Sequence, residues 1–73
     1  MMRSVFTDPP KKGTKFVALF GDGSGGNVFF KDDDGQLYDH EAQFLERGYL
    51  ENAGYAYWLP LPDSFKLWFE ISE

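Results

Sequence analysis

Gly21, Gly23 and Gly26 stand in the G-x-G-x-x-G spacing that lets a backbone approach a pyrophosphate. That chemistry needs a helix directly after the glycines, because the free amides of its first turn hold the phosphate. Asn27-Val28-Phe29-Phe30-Lys31 follows instead, a run of strand formers, so the glycines read as a hairpin loop and predict no nucleotide cofactor. Ser24 in the same loop has the glycine-rich surroundings of a nucleophile. It would need a histidine base and an orienting carboxylate, and the chain has a single histidine, His40. Asp32, Asp34, Gly35 and Glu41 fall at the third, fifth, sixth and twelfth places of an EF-hand loop, but Phe30 takes the first, and no helix precedes it. A hydrated Asp-Gly turn is the expectation, without a metal. The absence of cysteine excludes disulfides and zinc-thiolate sites. With no carboxylate pair spaced for acid–base work, no catalytic residue is assigned and a non-enzymatic role is expected.

These residues need a scaffold, and 73 residues provide for one domain. Fourteen aromatic residues (8 Phe, 4 Tyr, 2 Trp) supply its core and argue against disorder. Residues 1–14 read as an extended lead-in, since Pro9 and Pro10 push their predecessors out of helix. Lys15 to Phe20 and Asn27 to Lys31 read as strands, with Gln36 to Tyr38 a short third. Asp39 is placed to cap a helix ending at Gly48, with an irregular loop over 39–48 as the alternative. Tyr55 to Leu59 reads as a strand ended by Pro60. Phe65, Leu67, Phe69 and Ile71 alternate with Lys66, Trp68, Glu70 and Ser72, the period of a half-buried strand. No internal repeat is evident. The expectation is an α+β domain over residues 1–73, an antiparallel sheet of four or five strands with one short helix on one face. Its core is predicted to hold Phe16, Ala18, Phe20, Val28, Phe30, Phe44, Leu45, Tyr57, Leu59, Phe65, Leu67 and Phe69. Val17, Leu19, Phe29, Trp58 and Trp68 are assigned to the opposite face.

The net charge of -5 is unevenly spread. Residues 1–31 carry five cations against Asp8 and Asp22, net +3, whereas residues 32–73 carry ten carboxylates against Arg47 and Lys66, net -8. Such a surface repels phosphate backbones, so double-stranded nucleic acid is a poor partner, and it speeds the encounter with a basic protein. Tyr55, Tyr57, Trp58 and Trp68 could stack single-stranded bases, but such platforms come with basic grooves and these rings lie in the acidic part. No apolar run approaches the ~18 residues of a membrane span, and Met1 to Phe6 lacks a signal-peptide core. A cytoplasmic protein without a membrane partner is expected.

Pro9-Pro10-Lys11-Lys12-Gly13-Thr14-Lys15-Phe16-Val17-Ala18-Leu19-Phe20 and the closing Tyr57-Trp58-Leu59-Pro60-Leu61-Pro62 together resemble a family of small phage and prophage proteins. The resemblance implies phage origin, a small β-rich domain and action in the host cytoplasm, and it assigns no catalytic residue. The expected role is a non-catalytic effector that binds and inhibits a host protein with a basic surface, such as an anti-restriction or anti-CRISPR inhibitor whose carboxylates stand in for phosphates. Asp32, Asp33, Asp34, Asp39, Glu41 and Glu46 are the candidate contact residues, with Tyr38 and Tyr49 as aromatic anchors. A virion assembly protein and a single-stranded nucleic-acid binder are the alternatives, and a homodimer stays open.

Overall fold

A computed structural model describes residues 2–67 and 70–71. Among these residues there are six strands, β1 (Arg3–Ser4), β2 (Thr14–Phe20), β3 (Asn27–Lys31), β4 (Leu37–Asp39), β5 (Phe44–Leu45) and β6 (Tyr55–Pro60), and one helix, α1 (Tyr49–Asn52), between β5 and β6. They form one antiparallel sheet in the order β1-β6-β2-β3-β4-β5. The architecture is the expected small antiparallel sheet with a short helix, but it has six strands where four or five are predicted. Among the described residues no helix is long and apolar enough to cross a membrane.

The predicted helix over 39–48 is replaced by a second hairpin. Asp39 accepts hydrogen bonds at Oδ1 from the amides of Glu41 (2.8 Å) and Gln43 (2.9 Å), so it caps a β-turn. Asp32 does the same for Asp34 (3.0 Å) and Gln36 (2.8 Å). In each turn the aspartate carbonyl also accepts the amide three residues on, from Gly35 and from Ala42. Asp32-Asp33-Asp34-Gly35-Gln36-Leu37-Tyr38 and Asp39-His40-Glu41-Ala42-Gln43-Phe44-Leu45 are therefore two copies of one turn-and-strand unit. The repeat is hidden in the sequence because only Asp and Gln recur unchanged.

One face of the sheet carries the main core. Phe16, Ala18, Phe29, Tyr55 and Trp58 are buried there with Val5 and Leu50. Their rings make edge and stacked contacts from Trp58 through Phe16 and Phe29 to Tyr55 and Phe20. Phe16 and Ala18 are as expected, but Phe29 and Trp58 are not on the opposite face. Register decides this: Phe16 lies opposite Phe29 and Ala18 opposite Trp58, and directly paired residues share a face. Val28, Phe30, Tyr57 and Leu59 consequently stand half-buried on the other side with Val17 and Leu19. A register shift between Leu19 and Phe20 returns Tyr55 to the core face.

The lead-in is part of the fold. Ser4 Oγ accepts the amides of Phe6 and Thr7, turning the chain from β1 back across the core face. The Trp58 indole N–H donates to the Asp8 carbonyl at 2.6 Å, and Lys31 Nζ donates to the Pro10 carbonyl at 3.0 Å. Pro10 is buried. A proline has no N–H to satisfy, so burying it leaves only the carbonyl in need of a partner.

The C-terminal segment departs from expectation. Phe65, Lys66 and Leu67 form no strand; Phe65 is exposed and Leu67 is buried outside the main core cluster. Trp68, Phe69 and Ser72 lie outside the described residues. Lys15 on β2 holds this segment, with its ammonium 3.0 Å from Glu70 Oε2 and donating to the Phe65 carbonyl at 2.6 Å. The Leu67 amide donates to the same Glu70 carboxylate at 2.9 Å.

Two predictions follow from this packing. Ala42 has φ 64° where Gly35 has 85° in the twin turn, and an L-residue there is strained by about 1–2 kcal/mol. Ala42→Gly should therefore raise stability by about 0.5–1 kcal/mol after the entropy cost of glycine, and Gly35→Ala should lower it by about 1–2 kcal/mol, both read from denaturant midpoints. Secondly, the Leu67 amide and then Lys15 hold the Glu70 carboxyl below its ordinary pKa. A depressed folded-state pKa gives stabilisation that is complete above the unfolded value, about 4.3, and is lost as pH falls through the lower folded value. The Leu67 amide resonance should stay constant above about pH 5 and shift only in that acid range; movement between pH 6 and 8 would contradict the pairing.

Candidate functional site

β4 and β5 form one margin of the sheet and carry most of the predicted contact residues. Asp32, Asp33 and Asp34 lie in the turn before β4, and Asp39 and Glu41 in the turn after it, so a strand about 10 Å long separates the two groups at about 3.3 Å per residue. They belong to two turns and not to one turn and a helix. Glu46 follows β5. Residues 32–51 hold seven carboxylates (Asp32, Asp33, Asp34, Asp39, Glu41, Glu46, Glu51) against Arg47, net -6.

The turn geometry divides these carboxylates. Asp32 and Asp39 are half-buried and each commits an oxygen to two backbone amides. Asp33, Asp34, Glu41 and Glu46 are exposed. Among the described residues the side chains of those four make no hydrogen bond or ion pair, while the other two build the turns.

The aromatic candidates divide as well. Tyr38 packs between Phe30 and Phe44, ring centroids 6.4 and 6.0 Å away, on the face opposite the main core. Its hydroxyl donates to Gln36 Oε1 at 3.0 Å. Lost hydration, and then the negative charge of Asp32 and Asp34, push the phenol pKa up, so Tyr38 is a neutral donor at physiological pH. Tyr49 packs against the core with its ring 6.2 Å from Phe29. Phe44, predicted to be core, is 60% exposed, because a two-residue margin strand has no neighbour beyond it to cover the ring. Margin strands carry no distinguishing pattern at this length, so nothing in the sequence sets Phe44 apart from a core phenylalanine.

A groove of about 500 Å³ opens on the core face beside this margin. Leu37, Leu45 and Leu50 line it together with the lead-in residues Val5 and Pro10, and so do the charged residues Lys31, Asp34, Glu46, Arg47 and Glu51. It depends on the lead-in crossing the sheet, which local sequence pattern does not reveal.

The remaining motifs resolve into structure. The glycine loop joins β2 to β3, so no helix follows it. Ser24 donates its hydroxyl and amide to Asp22 Oδ1 (2.5 and 2.9 Å), and these bonds hold the Asp22 carboxyl below its ordinary range. The EF-hand-like run is a strand, a turn and a strand, with the Asp32 oxygen turned to the backbone. Among the described residues no group of acidic and histidine side chains is arranged to hold a metal. Tyr55 and Trp58, two of the four rings considered for base stacking, are buried. Comparison of the chain with protein-family models, curated proteins and solved structures gives no match.

The division of the carboxylates is directly measurable. Asp32→Ala and Asp39→Ala should each cost about 1–3 kcal/mol, the range for bonds to a charged acceptor. Asp33→Ala and Asp34→Ala should cost less than about 0.5 kcal/mol, as substitutions on an open surface. Equal losses across all four in urea titrations would show that the turn bonds do not organise the hairpins.

Proposed function

We propose that the chain is a non-catalytic protein-binding module that engages a basic surface through the margin formed by β4 and β5. The observation that carries this reading is the exposed Phe44 ring braced against Tyr38, with exposed carboxylates on the turns at both ends of β4. An aromatic anchor inside a charged rim is the arrangement that concentrates binding energy at protein interfaces. The carboxylates steer the encounter and the ring supplies apolar contact once water leaves. In its sharpest form the partner is a host nucleic-acid-binding protein, and the chain inhibits it by occupying a channel lined with lysine and arginine. The resemblance to small phage proteins supports that form, as does the net charge of -6 over residues 32–51.

The test needs charge reversal that leaves the fold intact, so Asp32 and Asp39 are kept. Immobilised wild-type chain and the Asp33→Lys, Asp34→Lys, Glu41→Lys triple variant are exposed to bacterial lysate. The wild type should retain a basic protein that the variant releases, that salt elutes, and that added DNA or RNA displaces. Equal retention by both chains, unaffected by salt, would overturn the reading.

A further inference from the structure

The groove beside β5 is lined by Leu37, Phe44 and Leu45 of the margin and does not include Tyr38. We infer that it receives an extended, basic segment of the partner, paired along β5 as an added strand and inserting an aliphatic side chain between Leu37, Leu45 and Leu50; this rests on the protein-binding reading above.

Three observations converge on that occupant. First, β5 is the last strand of the sheet, and among the described residues it pairs only with β4, leaving its outer side without a strand. The Asp39 amide donates to the Gln43 carbonyl. Antiparallel alternation then aims the N–H and C=O of Phe44 away from β4, where an incoming strand would find them. Secondly, the groove is concave and its mixed lining includes an aliphatic part, Val5, Leu37, Leu45 and Leu50, which adjoins the core residue Phe16, so an apolar side chain entering at that part extends the existing core. Its volume of about 500 Å³ exceeds that of one side chain, leaving room for the backbone that delivers it.

Thirdly, charge selects the chemistry of the segment. Asp34, Glu46 and Glu51 line the groove against Lys31 and Arg47, and the stretch that contributes most of the lining, residues 32–51, carries a net charge of -6. A strand places successive side chains on opposite faces. A segment alternating lysine or arginine with leucine or valine would seat its aliphatic residues on the groove and carry its cations on the other face, where the net charge of -6 over residues 32–51 attracts them. A second copy pairing β5 with β5 would instead bring two regions of net charge -6 together.

The probe is a short capped peptide alternating lysine with leucine, titrated into the isotope-labelled full chain and followed by amide chemical shifts. The control is its glutamate counterpart. The basic peptide should give saturable shifts at Phe44, Leu45 and Leu50, weakened by salt, and the acidic one none. Leu45→Lys should reduce affinity about tenfold or more, as should the exposed substitution Glu46→Lys, which disturbs no packing. Saturable binding with shifts confined to Asp33, Asp34 and Glu41, and undiminished by Leu45→Lys, would overturn the groove inference and leave the acidic-surface reading standing. No saturable binding of the basic peptide would overturn both. Concentration-dependent self-pairing at β5 without peptide would overturn the choice of occupant. Should Leu45→Lys fail to fold, the shift map on the wild type decides.

Discussion

The fold depends on how Trp58 is buried. Its indole is the largest fully buried side chain among the described residues, 1% exposed, and its one polar group must find a partner within the protein. The partner is the carbonyl of Asp8, fifty residues away. That bond ties the lead-in to the second strand of the sheet. The ring meets Phe16 edge-on at 5.7 Å, and the Arg3 guanidinium lies 5.2 Å from its centroid. Apolar burial and one hydrogen bond therefore act at the same place, where a sheet covered by a four-residue helix most needs a second layer.

The consequences reach the other margin. Because the lead-in crosses the core face, it supplies the wall of the groove through Val5 and Pro10. Because its prolines bring no amides, it does so with few polar groups to satisfy. The margin of β4 and β5 needs no such cover, since its hairpins are held locally by Asp32 and Asp39. The carboxylates left over stay exposed, and the acidic surface is thus partly a by-product of how the turns are made. The C-terminal segment is fixed differently, through the ion pair of Glu70 with Lys15, whose side chain is 11% exposed.

Much of this was legible in the sequence, and the exceptions share a cause. The two long strands flanking the glycine loop are visible because β-branched and aromatic residues run between glycines, and Tyr55 to Pro60 ends where proline demands. The face of each strand is not visible. Alternation gives two faces per strand, and only the pairing of Phe16 with Phe29 and Ala18 with Trp58 decides which phases coincide. Asp39 offered a true capping signal, but the same side-chain oxygen caps helices and turns alike, and Ala42 in a left-handed conformation disguised the turn that Gly35 announces in its twin. The candidate carboxylates were legible as charge. Their division into builders and free groups was not, because it depends on hydrogen bonds that composition cannot show. The groove was illegible, since its walls come from residues some forty positions apart in the chain, Val5 and Leu45 among them.

The lead-in is locked to the sheet through Trp58, and hydrogen exchange at the indole Nε1 proton reads that lock directly. If it holds, this proton exchanges only when the whole domain unfolds, with the same free energy and denaturant dependence as the amide of Ala18 in the centre of the sheet. Exchange through a local opening, much faster than Ala18 and insensitive to denaturant, would show that the lead-in lifts away independently, and the core layer and the groove wall described above would both fall with it.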